Sequence, residues 1–133
     1  MAVSLIKKFR ILVVDDDDAI REGFSEVLKI EGYEVLVARN TISAIRLLEE
    51  EKVDLVITDI LMPGDSGLTL IQEIMLSNDQ AKIICISGGG KNQGLGLLQI
   101  AQKFGAIKTL QKPISVDMLI ETVDQVLKDN YEI

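Results

Sequence analysis

Five apolar runs alternate with five amphipathic stretches, and this alternation constrains the fold of the 133-residue chain more than any other feature. The apolar runs, which we predict to be strands, are Ile11–Val14, Glu34–Ala38, Leu55–Thr58, Ile83–Ser87 and Ile107–Leu110. The amphipathic stretches, which we predict to be helices, are Ala19–Ile30, Ile42–Glu50, Leu68–Leu76, Leu95–Phe104 and Val116–Leu127. Three runs are nearly continuous in Ile, Leu and Val, which is typical of parallel strands covered on both faces. The pattern therefore predicts a doubly wound α/β sandwich.

The composition favours one acidic, globular domain. Apolar residues make up 47% of the chain and charged residues 26%, which is enough apolar surface to form a core. The net charge of −7 repels phosphate backbones and anionic lipids, so we expect no direct binding to nucleic acid or membranes. Neither a signal peptide nor an apolar run of about 20 residues is evident, and Cys85 has no cysteine to pair with. We therefore expect a cytoplasmic protein with a single domain over residues 1–133, a core at about 10–127 and no output domain.

The polar and charged residues that could bind a ligand or take part in a reaction lie at or just after the ends of the predicted strands. Asp15–Asp18 come after the first strand, the third runs into Asp59, the fourth ends at Ser87, and Lys112–Pro113 follows the fifth. Because ligand sites in doubly wound folds form beyond the carboxyl ends of the strands, we expect these groups at one edge of the sheet. One of the two aspartates Asp17 and Asp18 is expected to cap the first helix instead.

Acids, a hydroxyl and a cation at one point indicate phosphoryl transfer. Clustered carboxylates repel each other, and a hard divalent cation such as Mg²⁺ (or Mn²⁺) relieves this repulsion. The cation, a lysine and a hydroxyl could together hold the oxygens of a phosphoryl group while a carboxylate attacks its phosphorus. The chain has no histidine, which excludes a Ser-His-Asp triad, a His–zinc site and a role as phosphohistidine donor.

Four segments resemble the motifs of response-regulator receiver domains, in order and at that family's spacing. The segments are Val13–Asp17, Asp54–Gly64, Ile86–Gly88 and Gln111–Pro113. The resemblance extends from about Arg10 to Leu127. It implies a flavodoxin-like (βα)5 fold with a five-stranded parallel sheet of order 2-1-3-4-5.

The resemblance also implies a role for each candidate residue. Asp59 would be the phosphoacceptor, Ser87 would receive a phosphoryl oxygen, and Lys112 would pair with the phosphoryl group through a cis peptide bond to Pro113. Asp16 and Asp59 would bind Mg²⁺ directly, Asp15 would do so through water, and the backbone carbonyl of Leu61 would complete the protein ligands. The implied function is a phosphorelay switch that takes its phosphoryl group from a histidine kinase or a histidine phosphotransfer protein. It would signal to an unidentified downstream protein by direct contact, and would catalyse only its own phosphorylation and dephosphorylation.

Two alternatives remain open from the sequence. One is a degenerate receiver that serves as a phosphorylation-independent adaptor, against which the complete set of polar residues argues. The other is an aspartyl-phosphate hydrolase, but these enzymes usually carry a second aspartate two positions after the nucleophile, where this chain has Leu61.

The sequence departs from the family pattern three residues before the lysine. Receivers commonly carry Tyr or Phe there, whereas this chain has Thr109. A threonine side chain displaces little volume between its rotamers. We therefore predict that the glycine-rich loop Gly88–Gly96 and the helix after it carry the response to phosphorylation.

Overall fold

A computed structural model describes residues 8–62, 65–77, 81–88 and 93–129, and all ten predicted elements are present there. The strands are β1 (Arg10–Val14), β2 (Glu34–Ala38), β3 (Leu55–Asp59), β4 (Leu61–Met62), β5 (Asp65–Ser66), β6 (Lys82–Ser87) and β7 (Lys108–Gln111). The helices are α1 (Asp18–Ile30), α2 (Thr41–Glu50), α3 (Gly67–Leu76), α4 (Gln93–Phe104) and α5 (Val116–Asp129). The predicted bounds differ from these by at most two residues at either end.

The main sheet is parallel and has the order β2-β1-β3-β6-β7. Counted among these five strands alone, this is the predicted order 2-1-3-4-5, so the doubly wound, flavodoxin-like fold is confirmed. The order places β1 beside β3, with Val14 opposite Thr58 at their carboxyl ends. Residues that directly follow these two strands therefore lie side by side.

The sequence analysis missed the hairpin that β4 and β5 form. Two-residue strands are too short to show an apolar period, so no pattern could indicate them. Leu61 pairs with Ser66 and Met62 with Asp65, which turns the chain from the end of β3 directly into α3. The predicted turn at Pro63 and Gly64 lies outside the described residues.

The strands present alternate side chains to two apolar layers. In β1, Ile11 and Val13 face the layer covered by α1 and α5, whereas Leu12 and Val14 face the layer covered by α2, α3 and α4. All four side chains are at most 1% exposed. Burying each such side chain contributes about 1.5–3 kcal/mol, and the two layers together fix the edge where the polar residues lie.

Local signals set the start of α1. The side chain of Asp17 accepts a hydrogen bond from the amide of Ile20, so Asp17 is the N-cap and Asp18 begins the helix. Two of the four consecutive aspartates therefore belong to the start of α1, Asp17 as its N-cap and Asp18 as its first residue. None of the helices among the described residues is both long and apolar enough to cross a membrane.

Candidate functional site

Asp15 is held in place directly after β1. Its amide donates to the carbonyl of Ala38 at 3.2 Å, and its Oδ1 accepts from the amide of Asp17 at 2.9 Å. The Asp15 side chain is only 4% exposed, whereas Asp16 is exposed. Burial raises the pKa of Asp15, and the charge of Asp59 adds to this, against the lowering effects of the Asp17 amide and of Lys112.

Asp59 ends β3 and lies next to Asp15, because β1 and β3 pair in parallel. It is 6% exposed. Its Oδ1 accepts from the amide of Leu61 at 3.1 Å, so the turn into the hairpin orients the carboxylate. The second oxygen, Oδ2, points to the lysine that follows β7.

Lys112 bridges the two buried carboxylates. Its ammonium lies 2.9 Å from Oδ2 of Asp59 and 3.2 Å from Oδ2 of Asp15. Burial alone would lower the pKa of Lys112, but the hydrogen bond and charge of Asp59 and the charge of Asp15 outweigh it and raise this pKa. The lysine therefore stays protonated and partly offsets the repulsion between the acids. Its peptide bond to Pro113 is cis, as predicted.

Three carboxylates converge on a space that fits a hard divalent cation. Oxygen atoms of Asp15, Asp16 and Asp59 lie within 4.8 Å of one another. Two ligands of Mg²⁺ are about 4.2 Å apart when they lie on opposite sides of the ion, which is twice the usual Mg–O distance, so carboxylate oxygens grouped in this way can share one ion. The donor set consists of oxygen alone, which suits Mg²⁺ or Mn²⁺ better than zinc or copper.

Ser87 and Leu61 lie at the border of this cluster. Ser87 is fully buried at the end of β6, one position beyond Ile86, which is paired with Asp59. Its hydroxyl donates to the carbonyl of Gly88 at 3.2 Å, and so engages backbone and not the acids. Leu61 binds Asp59 through its amide, while the metal contact of its carbonyl stays a prediction.

Two residues that the sequence analysis did not single out also shape the site. Arg21, in the first turns of α1, donates from Nη1 to the carbonyl of Asp15 at 2.8 Å. Gly67 begins α3 directly behind the acceptor, where an added Cβ would lie 2.4 Å from the carbonyl oxygen of Asp59. An apolar stripe gives no information on a polar helix residue, and a glycine before a helix is equally consistent with a simple turn. A single sequence therefore could not predict either of these two contacts.

Comparisons with known proteins place the chain in a family. The family model of the response regulator receiver domain matches residues 11–124. The sensor kinase CckA of Brucella abortus is 33% identical over 129 residues, a match that covers 96% of this chain but 13% of the kinase. The sporulation initiation phosphotransferase F of Bacillus subtilis is 29% identical over 118 residues, or 89% of this chain and 93% of that protein.

A solved structure gives the same result. The response regulator receiver domain protein from Clostridium thermocellum superimposes with a TM-score of 0.83 at 30% identity, covering 92% of this chain and 97% of that one. The family match spans most of the chain. The chain therefore belongs to the response regulator receiver domains of two-component signalling systems.

Proposed function

We propose that this receiver is a phosphorelay switch whose phosphoryl group is accepted by the carboxylate of Asp59. The observation that carries the proposal is the position of this carboxylate. It is nearly buried, lies 2.9 Å from the ammonium of Lys112, and shares one oxygen-lined space with Asp15 and Asp16. Phosphoryl transfer depends mainly on positioning and charge neutralisation, and these residues provide both.

Lys112 and the acidic cluster have complementary roles in this proposal. Asp15, Asp16 and Asp59, with the carbonyl of Leu61, would hold Mg²⁺ or Mn²⁺. When bound, the cation would neutralise charge on the phosphoryl oxygens. Lys112 is already protonated beside Asp59 and would pair with one of these oxygens. The hydroxyl of Ser87 would turn from the Gly88 carbonyl to another of the phosphoryl oxygens.

The step itself is a transfer between two protein side chains. An oxygen of Asp59 forms a bond to phosphorus while the P–N bond of a phosphohistidine breaks, and the electron pair of that bond leaves with the imidazole nitrogen. The 133 residues contain no histidine, so the phosphohistidine lies outside them, in a histidine kinase or a histidine phosphotransfer protein. Water attacking the phosphorus would later break the bond between phosphorus and the Asp59 oxygen, which releases inorganic phosphate and the free carboxylate.

An apolar depression beside the acceptor supports docking of such a donor. It has a volume of about 520 Å³ and extends from α1 to the segment that follows Lys112. The residues that line it are Ile20, Phe24, Lys112, Pro113 and Ile114. Because Lys112 also contacts Asp59, a partner seated here would bring its own side chain close to the acceptor carboxylate.

Intact-mass measurement after treatment with acetyl phosphate and Mg²⁺ tests the proposal. We expect one added phosphoryl group on the wild-type chain, and none on Asp59→Asn, whose amide is isosteric but not nucleophilic. Circular dichroism of the variant would show that its fold is retained. Equal labelling of wild type and Asp59→Asn would contradict the assignment.

The adaptor alternative makes the opposite prediction in the same experiment. A degenerate receiver would gain no phosphoryl group and would bind its partner equally well with and without the phosphodonor. The ion pairs of Lys112 with both buried acids favour the switch, because an adaptor has no need for a half-buried cation between two carboxylates.

A further inference from the structure

We propose that Arg21 is a positioning residue that holds the Asp15–Asp16 turn in the geometry required by the divalent cation. The inference rests on the proposed function in one respect, that the acidic cluster binds such a cation. It adds to that function a residue of α1 that contributes no ligand of its own.

The geometry of Arg21 is that of a clamp between helix and turn. Nη1 donates to the backbone carbonyl of Asp15 at 2.8 Å, and Nη2 pairs with the carboxylate of Asp18 in the same helix. The side chain is only 14% exposed although it carries a charge. Its own amide donates to the carbonyl of Asp17 at 3.0 Å, so the base of the side chain is fixed by the first helical turn.

The carbonyl that Arg21 holds belongs to the peptide unit that leads into Asp16. Fixing this unit fixes the direction in which the Asp16 side chain leaves the backbone. The other side of the turn is held by the Asp17 amide on Oδ1 of Asp15. With both contacts made, the turn loses little further conformational entropy when the carboxylates close on a cation.

Charge alone predicts the opposite of this role. A guanidinium near the acidic cluster repels a divalent cation, so removing it should tighten cation binding. Asp18 offsets that repulsion by pairing with the guanidinium, and Arg39 also lowers the pKa of Asp18 through its charge. The sign of the change in cation affinity therefore separates positioning from electrostatics.

The inference is tested by measuring how tightly the full chain binds Mn²⁺ without a phosphodonor. The EPR signal of free Mn²⁺ reports this binding. Arg21→Met should raise the dissociation constant on the order of tenfold, as is typical for outer-shell partners of metal ligands. Arg39→Met is the matched control. It removes a cation near Asp18 but no contact to the Asp15 carbonyl. It should leave the constant unchanged or lower it.

The Mn²⁺ dissociation constants of the wild type and of Arg21→Met decide whether Arg21 positions the turn. An Arg21→Met protein that binds Mn²⁺ as tightly as the wild type, or more tightly, overturns the inference and leaves the proposed function intact. A wild-type chain that binds no Mn²⁺ overturns the metal site and the inference with it. Urea unfolding is measured in parallel, since a merely structural role lowers stability without changing the constant. If Arg21→Met does not fold, Arg21→Gln, two atoms shorter, is judged by the same criterion.

Discussion

Gly67 lies behind the acceptor carboxylate, and its missing side chain lets α3 start in contact with β3. A Cβ at this position would lie 2.4 Å from the carbonyl oxygen of Asp59 and 2.9 Å from the Cα of Ile60. Both are backbone atoms, so relief requires the end of β3 and the start of α3 to move apart. We expect Gly67→Ala to lower the free energy of unfolding by about 1–3 kcal/mol, as overpacking does. Urea unfolding measures this loss.

The same variant should also phosphorylate more slowly, because the shift acts on the backbone of Asp59. Gly23→Ala is the control: Gly23 is exposed in the middle of α1, and an added Cβ would meet nothing within 4 Å apart from its neighbours and the backbone of its own helix. Alanine there should stabilise the protein by about 0.5–1 kcal/mol and leave phosphorylation unchanged. Similar effects of both substitutions would refute the steric role of Gly67.

The sequence predicted the charged residues of the site and missed its supports for a physical reason. Asp15 and Lys112 follow strands and Asp59 ends one, and parallel strands bring their carboxyl ends to one edge of the sheet. The contacts of Arg21 and Gly67 depend on how α1 and α3 approach that edge. Such distances follow from packing, and a single sequence does not encode them in a local pattern.

At the scale of elements, a hydrogen bond joins α5 to the segment between α1 and β2. The hydroxyl of Tyr33 donates to the carboxylate of Asp124, which also lies 3.6 Å from Lys128. Tyr33 is 8% exposed. Because Asp124 keeps its lysine partner, we expect Tyr33→Phe to lower the free energy of unfolding by only about 1.5 kcal/mol, the lower end for a hydrogen bond to a charged group.

The pH dependence of stability gives a second measure of this contact. Burial, followed by the hydrogen bond and charge of Asp124, raises the pKa of Tyr33 above its ordinary value of about 10. The folded state therefore favours the neutral phenol, and its contribution is complete below pH 10 and is lost as the pH rises beyond it. Stability curves of wild type and Tyr33→Phe should converge in that alkaline range. A constant difference up to pH 11 would contradict this assignment.

We also predict that the response to phosphorylation is carried at the scale of elements, by the loop after β6 and by α4. Thr109 is half-buried in β7, opposite Cys85 of β6, where receivers commonly place an aromatic ring. With so little volume to move there, we predict that beryllium fluoride, an acyl-phosphate mimic, shifts amide NMR signals mainly across 88–104 and less around Thr109. Part of the predicted loop, Gly89–Asn92, lies outside the described residues. Asp59→Asn should show no shifts, and changes confined to the neighbours of Asp59 would refute the prediction.

The positions of the strands and helices were predictable, because the apolar runs of the strands and the apolar stripes of the helices are both clear in this sequence. The outer strands of the sheet, β2 and β7, are only partly buried, yet both were found from short apolar runs. The helix ends were less certain, since α4 begins two residues before its predicted start. Capping groups set such ends, as Asp17 does for α1, and several residues near each end can serve as the cap.

On the scale of the whole molecule, we expect Cys85 to report on global unfolding. It is the only cysteine, it is fully buried in β6, and burial, together with the charge of Asp59, raises the pKa of its thiol to about 12. The native thiol is therefore both inaccessible and protonated at pH 8, so iodoacetamide should alkylate it only through unfolded molecules. When refolding is faster than alkylation, the labelling rate is proportional to the unfolded fraction.

This probe links the acidic site to the stability of the entire fold. A cation that binds only the native state reduces the unfolded fraction by the factor 1 + [Mg²⁺]/Kd, so Mg²⁺ at ten times Kd should slow labelling of Cys85 about tenfold. Asp16→Asn should abolish this protection while it leaves the labelling rate without Mg²⁺ unchanged or lower, since one of three clustered charges is removed. Protection of equal size in wild type and Asp16→Asn would show that the cation acts elsewhere, and rapid labelling of the native wild type would show that Cys85 opens locally.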